Sequence, residues 1–136
     1  MNDIIAEVVA QLRTDLAAAG HDVPVTEYAR KQGVKVPAVV VVGLATGQAA
    51  ETLTGAAGYE NQEFDVYSYA ATSAAAFTLA EAVRGILQGY KGAMGSTTVT
   101  HCVSPNPFEK GTREPAKGSN SRSYYVLREY QIGHVN

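Results

Sequence analysis

The run Pro37-Ala38-Val39-Val40-Val41-Val42-Gly43 constrains this chain more than any other stretch. β-Branched side chains have few χ1 choices and pack well on a pleated surface, so four successive valines favour a strand. Pro37 lacks the donor a ladder needs and Gly43 breaks the run, so together they mark its ends. A run apolar at every position reads as a buried strand, which needs partner strands beside it and a cover above it. The chain has 136 residues, long enough for one domain with a core that needs no metal or disulfide.

Partners for that strand are legible further on. Residues 59–70 alternate: Phe64, Val66, Ser68 and Ala70 share one face, and Glu63, Asp65, Tyr67 and Tyr69 the other. Residues 97–103 are rich in β-branched side chains and predict another strand. In the closing strand, Tyr124, Val126, Arg128, Tyr130 and Ile132 face one way, and Tyr125, Leu127, Glu129 and Gln131 the other. Val23-Pro24-Val25 is extended, with an extra short strand near Val25 compatible with the pattern.

Two helices complete the set. Residues 2–19 carry Ile5, Val8, Val9, Leu12 and Leu16 at helical spacing, with Asn2 or Asp3 as cap and Gly20 as terminator. Thr72 or Ser73 caps a second helix running to about Gly89. Its predicted buried stripe is Phe77, Ala80, Val83, Leu87 and Tyr90, with Glu81, Arg84 and Gln88 in water. Residues 29–33 read as a turn. Residues 43–58, rich in Gly, Ala and Thr, read as a link, with a short helix over 49–53 compatible with them. The order is α-β-β-α-β-β, an α+β chain without internal repeats.

Charge and composition exclude several classes. Net charge is −2, so no global field draws the chain to nucleic acid or an anionic membrane. No apolar run approaches the 20 residues a membrane span needs, and residues 1–5 lack a basic, signal-like start. Cys102 is the only cysteine, so no intrachain disulfide forms. Charged residues make up 18%, which makes the surface cheap to desolvate against a neighbour.

No reactive constellation emerges. His21, His101 and His134 lack metal-ligand spacing. His101 and Cys102 are adjacent, and a strand sends adjacent side chains to opposite faces. Gly43-Leu44-Ala45-Thr46-Gly47 follows a strand as phosphate loops do, but lacks the third glycine or the Lys-Ser/Thr ending. The second helix begins Thr72-Ser73-Ala74-Ala75-Ala76, without the basic residues that a double-stranded-RNA binder places there. These observations predict no catalysis, no cofactor and no metal.

The remaining anomaly is the polar stretch 104–123. Loops this long are commonly functional or unstructured. It carries Lys110, Arg113, Lys117 and Arg122 against Glu109 and Glu114, and joins two strands expected to be antiparallel neighbours. It therefore reads as the tip of a long hairpin, an arm that docks on an adjacent subunit or faces a polyanion. Tyr67, Tyr69 and Tyr125, on the wet faces of their strands, offer apolar area with a polar tip. They suit either a subunit interface or packing against the neighbouring strand.

Four blocks, taken in order, resemble the tail-completion or tail-terminator proteins of long-tailed bacteriophages. Pro37-Ala38-Val39-Val40-Val41 is similar to that family's proline followed by an apolar strand. The stretch from Gln62 to Tyr69, then Thr72-Ser73, then Ala80-Glu81-Ala82-Val83-Arg84-Gly85-Ile86-Leu87, resembles its middle: an alternating strand, a small-residue turn and a helix. Arg128-Glu129-Tyr130-Gln131-Ile132 resembles its closing strand, and the N-terminal helix sits where the family has one. Segments 43–58 and 104–123 depart from the pattern.

The resemblance implies one tail-terminator-like domain over 1–136: an antiparallel sheet of four to five strands, two helices on one face, and a hairpin arm at 104–123. It implies a structural virion protein, not an enzyme: a homohexameric ring at the head-proximal end of the tail that stops tube polymerisation and offers the head–tail joining surface. Its implied partners are itself, the tail tube protein and a head-completion or connector protein of the neck. Genomic DNA passes through the lumen unread, and no membrane or cofactor is involved. The implied location is the virion, with host cytoplasm during assembly. Other readings are a stopper or adaptor protein of the neck and a small nucleotide-binding or enzymatic domain.

Overall fold

The valine run and the alternating stretch after it lie side by side, in register from Ala38 opposite Tyr69 to Gly47 opposite Asn61. The computed structural model describes residues 4–27, 37–47, 59–104, 110–115 and 122–135. Its helices are α1 (Ile4–Ala18) and α2 (Ser73–Leu87). Its strands are β1 (Val25–Glu27), β2 (Ala38–Gly47), β3 (Tyr59–Ala70), β4 (Gly92–Met94), β5 (Thr97–Val103), β6 (Lys110–Pro115) and β7 (Arg122–Val135). They form one sheet in the order β1-β2-β3-β7-β5-β4, with β6 also paired to β7.

The α+β class holds, with more strands than the four to five expected. The additional ones are short edge pieces with little local signal of their own, held by longer neighbours. The sheet is also mixed, because β1 runs parallel to β2, Val25 standing opposite Val39. β7 is the organising strand. It pairs with β3 from Tyr124 to Val135, and its other edge is shared end to end by β5 and β6.

Stretch 104–123 is therefore only partly a loop. Residues 110–115 form β6, antiparallel to residues 122–127 of β7, so the expected long hairpin exists with its base built into the sheet. The glycine-bearing stretch 43–47 is likewise strand, with Gly43 opposite Phe64 and Thr46 opposite Gln62 across an irregularity. The short helix considered over 49–53, the turn over 29–33 and the cap at Asn2 or Asp3 lie outside the described residues.

Both helices cover one face. Ile4, Ile5, Val8, Val9, Leu12 and Leu16 of α1 are buried, matching the sequence stripe. They join Val39, Val41, Phe64, Val66, Tyr130, Ile132 and Cys102 in a single core, with Leu79, Val83 and Leu87 from α2. Gly43 permits this packing, since a Cβ there would lie 3.0 Å from Ile5 Cγ1. α2 starts as read: Thr72 Oγ1 accepts from the Ala75 amide at 3.1 Å.

The buried stripe of α2 is Ala76, Leu79, Ala80, Val83 and Leu87. Phe77, expected inside, is 45% exposed. It stands about 100° around the helix from Ala76. The i, i+3, i+4, i+7 row that meets the sheet begins at the alanine, whose small side chain lets the helix sit close.

α1 also clasps the sheet's two ends. Arg13 Nε and Nη2 donate to the Val25 carbonyl of β1 at 3.0 and 2.8 Å. At the far edge, Glu7 Oε1 accepts from the Ser96 amide and hydroxyl at 3.2 and 3.0 Å, in the turn between β4 and β5. Two side chains six residues apart on one helix thus hold opposite edges, and the sheet curls around α1. Gly95 makes room for the Glu7 carboxylate at φ +61°; a Cβ there would meet Glu7 Oε2 at 2.5 Å.

Candidate assembly surface

The face of the sheet turned away from the helices is where the sequence-predicted tyrosines meet. On β3, alternation puts Gln62, Phe64, Val66, Ser68 and Ala70 inside, leaving Asn61, Glu63, Asp65, Tyr67 and Tyr69 on the open face. On β7 the open positions are Tyr125, Leu127, Glu129 and Gln131. Register sets Tyr69 opposite Tyr125 and Tyr67 opposite Leu127.

The three tyrosine rings form a triangle. Tyr67 and Tyr69 lie 6.2 Å apart at 18°. Tyr125 stands 5.4 Å from each, tilted 53° to Tyr67 and 46° to Tyr69. These spacings are those of favourable aromatic contacts. On the same side of β2, Val40 opposite Tyr67 and Ala38 opposite Tyr69 are buried. Of the two choices left open for the tyrosines, packing against the neighbouring strand is present: they pack on one another, and each keeps part of its surface exposed.

The other half of the face is acidic. Asp65 stands opposite Glu129 and Glu63 opposite Gln131, whose Nε2 donates to Glu63 Oε1 at 3.4 Å. Among the described side chains of β3 and β7, this face carries no lysine or arginine.

The basic residues singled out in 104–123 are divided between two strands and the stretch that joins them. Lys110 and Arg113 fall in β6, in register with Leu127 and Tyr124, and Arg122 opens β7 opposite Pro115. Lys117 lies outside the described residues.

Sequence reading missed an ionic cluster under α2. Arg128, on the inner face of β7, is 7% exposed, and its Nη1 lies 3.4 Å from Glu81 Oε2. Arg84 reaches the same oxygen at 3.7 Å. An arginine among the inward positions of an otherwise apolar strand was the available signal, since a buried charge requires a partner.

Groups that could act as nucleophiles are quiet. Cys102 is fully buried, and burial pushes its thiol up to about 12. Burial also pushes the Tyr130 hydroxyl up to about 12, against the opposing pull of Arg128, while its ring stacks on Phe64 at 5.6 Å. Among the described residues, no three His, Cys, Asp or Glu side chains are placed to hold a metal ion. No helix of the described residues is long and apolar enough to cross a membrane.

No family model matches the chain, and no curated protein matches it. Among solved structures, it is similar to a chain of the "Virion of native gene transfer agent (GTA) particle". The TM-score is 0.64 and the identity 17%, over 98% of this chain and 95% of that one. The two chains share a fold. The similarity extends over nearly the whole of each, so the helices and the β3–β7 sheet belong to the shared architecture.

Proposed function

We propose that this chain is a structural subunit of a phage-like particle, and that it forms the ring closing the head-proximal end of a tail. The observation that carries this reading is the end-to-end fold similarity to a chain of a gene transfer agent virion. It agrees with the order of the four sequence blocks that resemble tail-terminator proteins. The open face of β3 and β7, aromatic at one end and acidic at the other, fits a protein that works by contact.

In this reading six copies, each one domain, form a ring that stops tube growth and presents a joining surface to the head-completion or connector protein. The ring encloses a lumen through which DNA passes without being read. No catalysis, cofactor or membrane enters. The protein resides in the virion tail and is assembled in the host cytoplasm.

Native mass spectrometry and light scattering test it directly. The expected result is a six-copy species, either alone or after addition of tail tubes. A chain that remains strictly monomeric and fails to bind tubes overturns the reading.

A further inference from the structure

The outer edge of a β-sheet carries unpaired amide and carbonyl groups, and it pairs with another chain unless something covers it. Here the outer strands are β1, β4 and β6. Side chains of the molecule cap two of them. On β1, the Val39 amide donates to the Pro24 carbonyl at 2.9 Å, and Val25 stands opposite Val39, so the polar groups of Val25 point outward. Arg13 already occupies that outward carbonyl. On β4, Met94 and Thr97 close a tight turn, which sends the groups of Ala93 outward. The Tyr90 hydroxyl donates to the Ala93 carbonyl.

β6 has no such cap among the described residues, and the ladder tells which of its groups face outward. Ser104 Oγ donates to the Glu129 carbonyl at 2.7 Å, so the odd-numbered residues of β7 turn their polar groups to the edge shared by β5 and β6. Cys102 agrees: its carbonyl accepts from the Gly89 amide at 2.7 Å, away from β7, which leaves Val103 to pair with Gln131. Lys110, Thr112 and Glu114 stand opposite Leu127, Tyr125 and Ser123, so their backbone groups are directed at β7. Antiparallel pairing alternates, so Gly111, Arg113 and Pro115 turn theirs outward. The edge thus offers amide and carbonyl at Gly111 and again at Arg113. It ends at Pro115, which has no amide hydrogen.

The sequence of this edge complements itself. Laid antiparallel on a second β6 about a two-fold axis at Thr112, Gly111 faces Arg113 of the second copy and Arg113 faces its Gly111. Each of these pairs exchanges both backbone hydrogen bonds. Lys110 falls opposite Glu114 of the second copy, and Glu114 opposite its Lys110, so opposite charges meet at both ends. At the axis Thr112 meets Thr112, a favourable cross-strand pair. Neighbouring registers lose these matches. Moving the axis to Arg113 sets two arginines opposite each other and Gly111 opposite Pro115, which cannot donate. Moving it to Gly111 separates the opposite charges.

We infer that two copies of this chain pair through the outer edges of β6, antiparallel and centred on Thr112, and so join their sheets. Each copy has one uncapped edge among the described strands, and pairing consumes it, so this association stops at two copies. The contact is isologous, unlike the head-to-tail contact of a ring. It goes beyond the ring reading and does not rest on it.

Sedimentation velocity over a range of protein concentrations tests it. The wild type is expected to pass from monomer to dimer as concentration rises. Lys110→Glu and Glu114→Lys each set like charges opposite one another at both ends, and each alone is expected to weaken the dimer about tenfold or more. Their equimolar mixture restores opposite charges at both ends and is expected to recover the wild-type affinity. Arg113→Pro removes an outward donor and is expected to be monomeric with the wild-type circular dichroism spectrum; should it misfold, the charge reversals decide. Thr112→Cys is expected to give a disulfide-linked dimer on air oxidation, because facing residues of such a pair lie within disulfide reach. Cys102 is buried and does not compete. A wild type that is monomeric at every concentration overturns the contact. So does a dimer that survives both single charge reversals, or one that Thr112→Cys fails to cross-link. A dimer with no six-copy species on tail tubes supports this contact and overturns the ring reading alone; a six-copy species with no dimer does the reverse.

Discussion

Cys102 and Tyr130 show how burial sets chemistry at a single residue. Both hold their protons more tightly in the folded chain than outside it, chiefly through desolvation. The native protein thus stays protonated at these sites while the unfolded chain ionises, so stability from this source is intact below the ordinary thiol value of 9.0 and falls as pH climbs towards 12. Each group, once ionised in the unfolded chain, steepens the fall by about 1.4 kcal/mol per pH unit. Urea unfolding from pH 8 to 11 should show this decline. Cys102→Ala should flatten it by one group's share; an unchanged slope would mean the thiol is not protected. Gly95→Ala is expected to destabilise by about 1–3 kcal/mol, because it forces a side chain into positive φ and pushes Glu7 off Ser96. Thermal melts of Gly95→Ala and Glu7→Gln would separate the backbone cost from the lost contact.

At the level of elements, α2 separates packing from contact. Leu87→Ala should cost about 2–5 kcal/mol, because it empties a fully buried position. Val83→Asp should prevent folding by burying an unpaired charge. Phe77→Ser, one residue from the buried row, should stay within about 0.5 kcal/mol of the wild type. Chemical denaturation of the three gives that ranking, and a large loss at Phe77 would contradict the helix orientation. The same helix marks the limit of what its sequence discloses. The positions of Ala80, Val83 and Leu87 were legible from periodicity, and Thr72 from capping chemistry. Phe77 was not, because hydrophobicity favours a phenylalanine over Ala76 while the sheet surface favours the smaller residue. The alternation in β3 and β7 was readable because one face is buried. β4 and β6 were not, since Gly92-Ala93-Met94 and residues 110–115 become strands only through the neighbours that pair with them.

Across the whole molecule, the curl of the sheet and its two clasped edges set both helices against one face, with the three tyrosines on the other. The tyrosine cluster itself could be anticipated from strand parity, which placed Tyr67 and Tyr69 together. That Tyr125 completes it depends on the pairing of β3 with β7, a long-range choice that no local pattern encodes.

The central position of β7 has a consequence for how the chain is made. Synthesis proceeds from α1 onward, yet Glu7 waits for Ser96, 89 residues later, and β3, β5 and β6 all wait for β7 to supply a shared edge. At about 5–20 residues per second, seconds pass on the ribosome with the β3 edge that β7 will cover still open. The sheet can close only once residues 122–135 have left the exit tunnel. Nascent chains stalled before Arg122 should therefore be protease-sensitive and prone to associate, whereas chains extended far enough to free Val135 should acquire resistance in one step. Folding of this protein is timed by its last strand.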